Sequence, residues 1–343
     1  MKRTNLAIVP ILVGMALAGP IHAQTTEAQR AAVVMAASYR VVPNVVYQVA
    51  SGYEAKLDLY LPRGQQGLVP ALIQIHGGGW VGGSKERNSL TFLPYLEMGW
   101  AVINIEYRLG RVALAPAAVE DCLCALRWII RNADQYNIDA SRLVVTGYSA
   151  GGHLALTTGL VPSSAGLDLQ CPGNEPLEVA AIVNWYGITD VGDLLDGKNM
   201  KSYAVQWMAS MPDRYAIAER VSPLTYVRGG LPPILTIHGD ADPTVPYSHA
   251  ERLRDALDDA GVANQLHTVP GGRHGGFNRE QTIAIFETIR QFLGAHGLQE
   301  ALQQHIFGHG TGELHTVVDD GLGHAHDVVQ RGKVGELLYL YYV

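Results

Sequence analysis

From residue 71 onward the chain alternates short, nearly unbroken apolar runs with longer amphipathic stretches. The runs fall near 71–75, 101–106, 142–147, 180–185, 233–238 and 265–269. Each is too short for a buried helix and reads as a strand covered on both faces. Between them, helical periodicity is expected near 117–132, 151–160, 248–260 and 279–293. Strand and helix in alternation predict an α/β chain: a mostly parallel central sheet with helices on both faces. Upstream, Val45–Val49 and Ala55–Tyr60 flank Ser51-Gly52 and read as an antiparallel entry hairpin, preceded by an alanine-rich helical stretch from Thr25 to Tyr39. The rhythm breaks between Gly187 and Pro232. That segment carries Asp190, Leu194, Leu195, Tyr203, Val205, Trp207, Met208 and Met211. Its apolar residues fit either a substrate pocket or ordinary packing on the sheet.

The residues with chemistry stand where the apolar runs end. Arg142–Thr146 leads into Gly147-Tyr-Ser-Ala-Gly151, and a helix is expected at once afterwards. A serine on so sharp a strand-to-helix turn projects its hydroxyl from the sheet edge, and the flanking glycines let the backbone pass. Ala71–Ile75 runs into His76-Gly-Gly-Gly-Trp80, whose glycines expose backbone N–H groups able to hold a negative oxygen. Pro233–His238 leads to Gly239-Asp-Ala-Asp-Pro-Thr-Val-Pro246, where Asp240 and Asp242 compete as the acid that orients a histidine; Asp240 also fits a turn-former bonded to nearby backbone N–H groups. Gln265–Val269 leads to Gly271-Gly-Arg-His-Gly-Gly276, which presents His274. Serine, aspartate and histidine thus follow one another in that order along the chain.

Composition narrows the field. The 343 residues carry a net charge of −7 and 17% charged side chains, with no basic stripe, so nucleic acid is a poor partner. Residues 1–23 read as a secretory signal peptide: Lys2 and Arg3, an apolar stretch from Leu6 to Leu17, and a cleavage site after Ala23. The apolar stretch is too short to span a bilayer, so no stable membrane insertion is expected after cleavage. Loss of Lys2 and Arg3 takes the formal charge from −7 to −9. Residues 24–295 form the folded domain. A tail over 296–343 carries His296, His305, His309, His315, His324 and His326 without clear periodicity and is expected to be poorly ordered. The histidine spacing matches no closed metal-ligand set. Cys122 and Cys124 stand two apart on a helix and face apart; either can reach Cys171, and the spacing does not call for a bridge.

Taken together, these motifs resemble the secreted bacterial α/β-hydrolase esterases, in the group of acetyl-xylan or feruloyl esterase-like enzymes related to hormone-sensitive-lipase-type carboxylesterases. The resemblance covers about residues 40 to 295. It rests on His76–Trp80, Glu106-Tyr-Arg-Leu109, Pro116–Asp121, Gly147–Gly152, His238–Pro246 and Gly272–Phe277. It implies an α/β-hydrolase fold with a small cap insertion at about 187–232. It also implies Ser149 as nucleophile, Asp242 rather than Asp240 as acid, His274 as base, and the amides of Gly78, Gly79 and Ala150 as oxyanion hole. Arg108 and Asp121 are implied as a structural ion pair. The lipase-like relatives carry an acid after the Tyr-Arg-Leu stretch, where this chain reads Gly110-Arg-Val112, which favours the polysaccharide-deacylase side. The implied activity is hydrolysis of short-chain carboxylic esters, including acetyl groups on plant polysaccharide, by an exported enzyme that needs neither metal nor organic cofactor. The rival readings are a serine peptidase or amidase of prolyl-oligopeptidase or formamidase type on the same triad, and a non-catalytic binding protein on the same fold. Oligomeric state is not legible.

Overall fold

The computed structural model describes residues 26–299. The expected signal peptide, and all of the tail beyond residue 299, lie outside the described residues. The chain runs α1 (Glu27–Ser38), β1 (Tyr39–Ala50), β2 (Tyr53–Pro62), β3 (Val69–Ile75), α2 (Leu93–Glu97), β4 (Ala101–Ile105), α3 (Ala117–Asn132), β5 (Ile138–Tyr148) and α4 (Ala150–Leu160). It continues through β6 (Ala181–Trp185), α5 (Ser202–Met208), α6 (Arg214–Arg220), β7 (Ile234–Gly239), α7 (Ser248–Asp259), β8 (Asn264–Val269) and α8 (Arg279–Ala295). The described strands form one eight-stranded sheet in the order β1-β2-β4-β3-β5-β6-β7-β8. The entry hairpin is antiparallel and lies antiparallel against β4; every other pairing is parallel.

The unbroken apolar runs have a direct cause. β4, β6 and β7 bury every residue, and β3 all but one. Because side chains alternate across a strand, each run feeds two cores. Ala71, Ile73, Ile75, Leu143 and Val145 pack toward α3 and α4. Leu72, Val102, Val144, Val183 and Leu235 pack toward α2 and α8, against Phe92, Ile285 and Phe286. α4 is buried nearly all round, and the apolar periodicity of an amphipathic helix is therefore absent from it.

The sheet order decides where chemistry can happen. After β3 the chain steps toward one sheet edge; from β5 onward it steps toward the other. The loops leaving β3 and β5 therefore part company and open a crevice at the carboxyl ends of the strands, the usual ligand position in open α/β sheets. Ile75 and Gly147 are register partners at that point, so His76–Trp80 and Ser149 emerge side by side.

The predicted α/β organisation, strands and helices are present, with the entry hairpin and β5 longer than expected. The short α2, α5 and α6 were not legible: five to seven residues give too few turns for a helical period to register. Cys124 and Cys171 form a disulfide, a bridge the spacing did not call for, while Cys122 is buried and free. The fold supplies what the spacing lacked by carrying the loop after α4 back against α3. Arg127 pairs with Asp168 at the same junction. Among the described residues no helix is long and apolar enough to cross a membrane.

The bridge closes a loop with a sequence separation of 47, so Cys171→Ser should lower unfolding free energy by about 4 kcal/mol on chain-entropy grounds. Urea denaturation of the variant, and of the unaltered chain with and without reductant, measures it; the reduced chain should match the variant.

Candidate active site

Ser149 sits at the junction of β5 and α4 with φ 57° and ψ −119°, a conformation few non-glycine residues hold. The strain is held in place from both sides. The Ser149 amide donates to the Trp185 carbonyl at 2.9 Å, and the His153 amide donates to the Ser149 carbonyl at 3.0 Å. Two residues on, a side chain at Gly151 would run into the carbonyl of Ile75, so β3 and the first turn of α4 approach closely only because that position is glycine.

The loop after β3 wraps over this turn. Gly79 has φ 60°, and a Cβ there would lie 2.7 Å from Cβ of Tyr203 on α5. Among the described residues, the amides of Gly78, Gly79 and Ala150 have no hydrogen-bond acceptor. Trp80 holds the loop down. Its indole N–H donates to Nδ1 of His153 at 3.1 Å, and Nε2–H of His153 donates to the Val221 carbonyl at 2.7 Å. The Trp80 ring also stacks on Trp207 at 4.2 Å. One buried imidazole on α4 thus ties the glycine loop to the 187–232 segment. Burial pushes its pKa down to about 4.

The loop after β8 delivers His274. Its Nε2 lies 2.8 Å from Oγ of Ser149 and its Nδ1 lies 2.7 Å from Oδ2 of Asp242. The other carboxylate oxygen of Asp242 accepts from the amides of Thr244 at 2.7 Å and Val245 at 3.0 Å. Burial alone would raise the Asp242 carboxyl; the donors His238, His274 and the Thr244 amide outweigh it and hold the group well below the usual carboxylate range. Asp240 points elsewhere and accepts from the Gly271 amide at 2.7 Å, as a turn-former does. Of the two aspartates, only Asp242 meets His274.

Ser149, His274 and the glycine loop line a cleft of about 410 Å³, with Arg87, Tyr148, Tyr186, Tyr203 and Thr244 around them. Of the apolar residues expected in the 187–232 segment, Leu194, Leu195, Trp207 and Met208 are core residues, and Tyr203 reaches the cleft. Tyr186 was missed by sequence reasoning. It follows β6 directly, holds φ 40°, and sets its ring edge-to-face on His274 at 4.7 Å. Its position after a strand was the one available signal. His153 was missed because a lone histidine in an apolar helix carries no signature. Arg108 and Asp121 do pair: the guanidinium and the Arg108 amide all donate to the carboxylate, at 2.7–2.9 Å, and Gln48 donates to it as well.

Comparison with known proteins gives a consistent picture. Residues 57–257 match the family model BD-FAE. Ethyl acetate hydrolase of Pseudomonas putida is 31% identical, over 69% of this chain and 73% of that protein. Esterase LipQ of Mycobacterium tuberculosis is 30% identical over 66% of this chain and 55% of its own length. This chain spans about half the length of the first mycobacterial relatives it matches. Among solved structures, a truncated carbohydrate esterase from gut microbiota superposes with a TM-score of 0.64 and 29% identity, covering 74% of this chain and 97% of that one. Thermogutta terrifontis esterase 2 superposes at 0.65 with 26% identity, covering 78% and 95%.

His153 binds a proton less readily folded than unfolded, so its contribution to stability is complete above its unfolded value of ~6.5 and drains away as pH falls from there through about 4. His249, whose pKa burial also pushes down to about 4, acts with the same sign. Urea midpoints should therefore fall steadily between pH 7 and pH 4.5, and His153→Gln, weaker at pH 7, should show a flatter decline.

Proposed function

This chain belongs to the BD-FAE family, and we propose that it hydrolyses carboxylic esters through an acyl-serine intermediate. The observation that carries the reading is the hydrogen-bonded row Ser149–His274–Asp242 opening on the cleft. In this reading His274 takes the Ser149 proton as the oxygen attacks the ester carbonyl, forming a tetrahedral intermediate. The amides of Gly78, Gly79 and Ala150 hold its oxyanion; each well-aimed donor lowers the barrier by about 3 kcal/mol. His274 then protonates the departing alcohol. Water, activated by the same imidazole, releases the acid and restores the serine. Asp242 keeps Nδ1 protonated and stabilises the imidazolium. No observation favours the peptidase, amidase or non-catalytic readings, and all three members of the row are present.

The substrates we infer are short-chain esters, with acetyl groups on plant polysaccharide as the natural class. The cleft supports this: it is open, and Tyr148, Tyr186 and Tyr203 line it, aromatic side chains of the kind found beside bound sugars. The names of the relatives, an ethyl acetate hydrolase and a carbohydrate esterase, point the same way. We also infer that the chain is exported. The Lys2-Arg3 and Leu6–Leu17 pattern supports it, and a disulfide between Cys124 and Cys171 suits an oxidising compartment. The domain division follows: signal peptide 1–23, hydrolase 24–295 with a cap at about 187–232, and the tail from 296.

A p-nitrophenyl ester series from acetate to palmitate tests the reading. Acetate or butyrate should turn over fastest, and Ser149→Ala should lose about 10⁴-fold or more in kcat. Gly79→Ala, which pushes against Tyr203, should lose about 100-fold or more with a folded protein. Absence of turnover on every chain length by folded, unaltered protein overturns the reading.

A further inference from the structure

A second histidine reaches the acid of the triad. His238, the residue before the end of β7, is fully buried, and its Nε2 lies 3.2 Å from Oδ2 of Asp242. That is the same oxygen to which Nδ1 of His274 is bonded at 2.7 Å. Nε2 of His238 also lies 3.1 Å from the Val245 carbonyl. A carbonyl and an ionised carboxylate both only accept, so the hydrogen sits on Nε2; its hydrogen bond runs to the Val245 carbonyl, with Oδ2 of Asp242 beside it at 3.2 Å. The opposite ring nitrogen, Nδ1, is buried and has no partner among the described residues. Leaving a buried polar atom unpaired costs about 1–3 kcal/mol. A leucine here would avoid that cost, so packing does not explain the imidazole; its one satisfied nitrogen does.

We propose that His238 is a positioning residue for the acid–base pair. Its N–H fixes the orientation of the Asp242 carboxylate and draws off part of the charge that Asp242 offers to His274. This rests on the ester-hydrolase reading above. The groups facing the pair are few. The rings of Tyr186 and Tyr247 stand edge-on to His238 at 6.4 and 5.6 Å, His274 lies beyond the carboxylate, and Tyr203 lines the cleft near it. Among the described residues no lysine or arginine is ion-paired with Asp242. Removing the His238 donor therefore leaves Asp242 with more charge for His274, so the imidazolium is favoured and the active, neutral base appears only at higher pH.

The test compares the unaltered protein with His238→Leu and His238→Gln, the second keeping a donor at the reach of Nε2. The readouts are kcat and KM on p-nitrophenyl acetate across pH, and the pH dependence of Ser149 labelling by a fluorophosphonate. For His238→Leu we expect the acid limb of both profiles to move up by about half a pH unit or more, kcat to fall about tenfold, and KM to hold. His238→Gln should return the limb most of the way. Should His238→Leu not fold, an acid limb in His238→Gln that stays with the unaltered protein supports the proposal, and a displaced one opposes it. A kcat loss with an unmoved acid limb, unrescued by Gln, overturns it and leaves His238 a tie for the 240–245 turn. If the unaltered protein labels at Ser149 but hydrolyses no ester, the substrate reading fails and the labelling profile still decides the role of His238.

Discussion

The turn at Ser149 is the constraint from which the rest of the site follows. A serine at φ 57° stores roughly 1–3 kcal/mol of backbone strain, and it persists only where the surroundings leave no alternative. Here β5 arrives buried between β3 and β6, α4 leaves buried under α3, and the Ser149 amide is already committed to Trp185. The strand and helix cannot relax without uncovering two cores. The strain therefore stays where it points the hydroxyl into the cleft, within 2.8 Å of His274.

Buried polar groups do the remaining positioning, through bonds that join separate parts of the chain. His153 links the glycine loop through Trp80 to the 187–232 segment through Val221. Lys85, buried on Asp58 at 2.8 Å, anchors the far end of the same loop, where its amide donates to Glu106 and its carbonyl accepts from Asn104. Arg108 and Asp121 do the equivalent beneath the site. Pairs of this kind add little net stability, because desolvation offsets most of the Coulomb attraction. What they add is geometry: the glycine loop, whose amides we propose stand about 3 Å from a developing charge, is held by directional bonds rather than by apolar contact alone.

The 187–232 segment shows how one stretch serves two purposes. Leu194, Leu195, Trp207 and Met208 seal it to the hydrolase core, while Tyr203 leans on Gly79 and faces the cleft. The loop and the segment are therefore one packed unit. A change in the segment that shifts Trp207 is transmitted through the Trp80 stack to the glycine amides.

Sequence alone determined the parts of this protein that depend on local covalent order. A run such as Ala181–Trp185 reads as a buried strand from its apolar content, and the glycines flanking Ser149 mark the sharp turn after β5 that the surrounding structure then holds. The order of serine, aspartate and histidine at the ends of such runs made Ser149, His274 and the glycine loop readable as one site. Tertiary structure decided what depends on residues distant in the chain. The resemblance implied Asp242 over Asp240, while the residues by themselves left both open; the seating of the 240–245 turn under His238 is what sends one to His274 and the other to Gly271. Cys124 finds Cys171 because the loop after α4 folds back on α3. The place of Tyr186 against the imidazole follows from the packing of β6 beside β5. No local pattern encodes these contacts, because each is fixed by the meeting of surfaces that the chain brings together only after the sheet has formed.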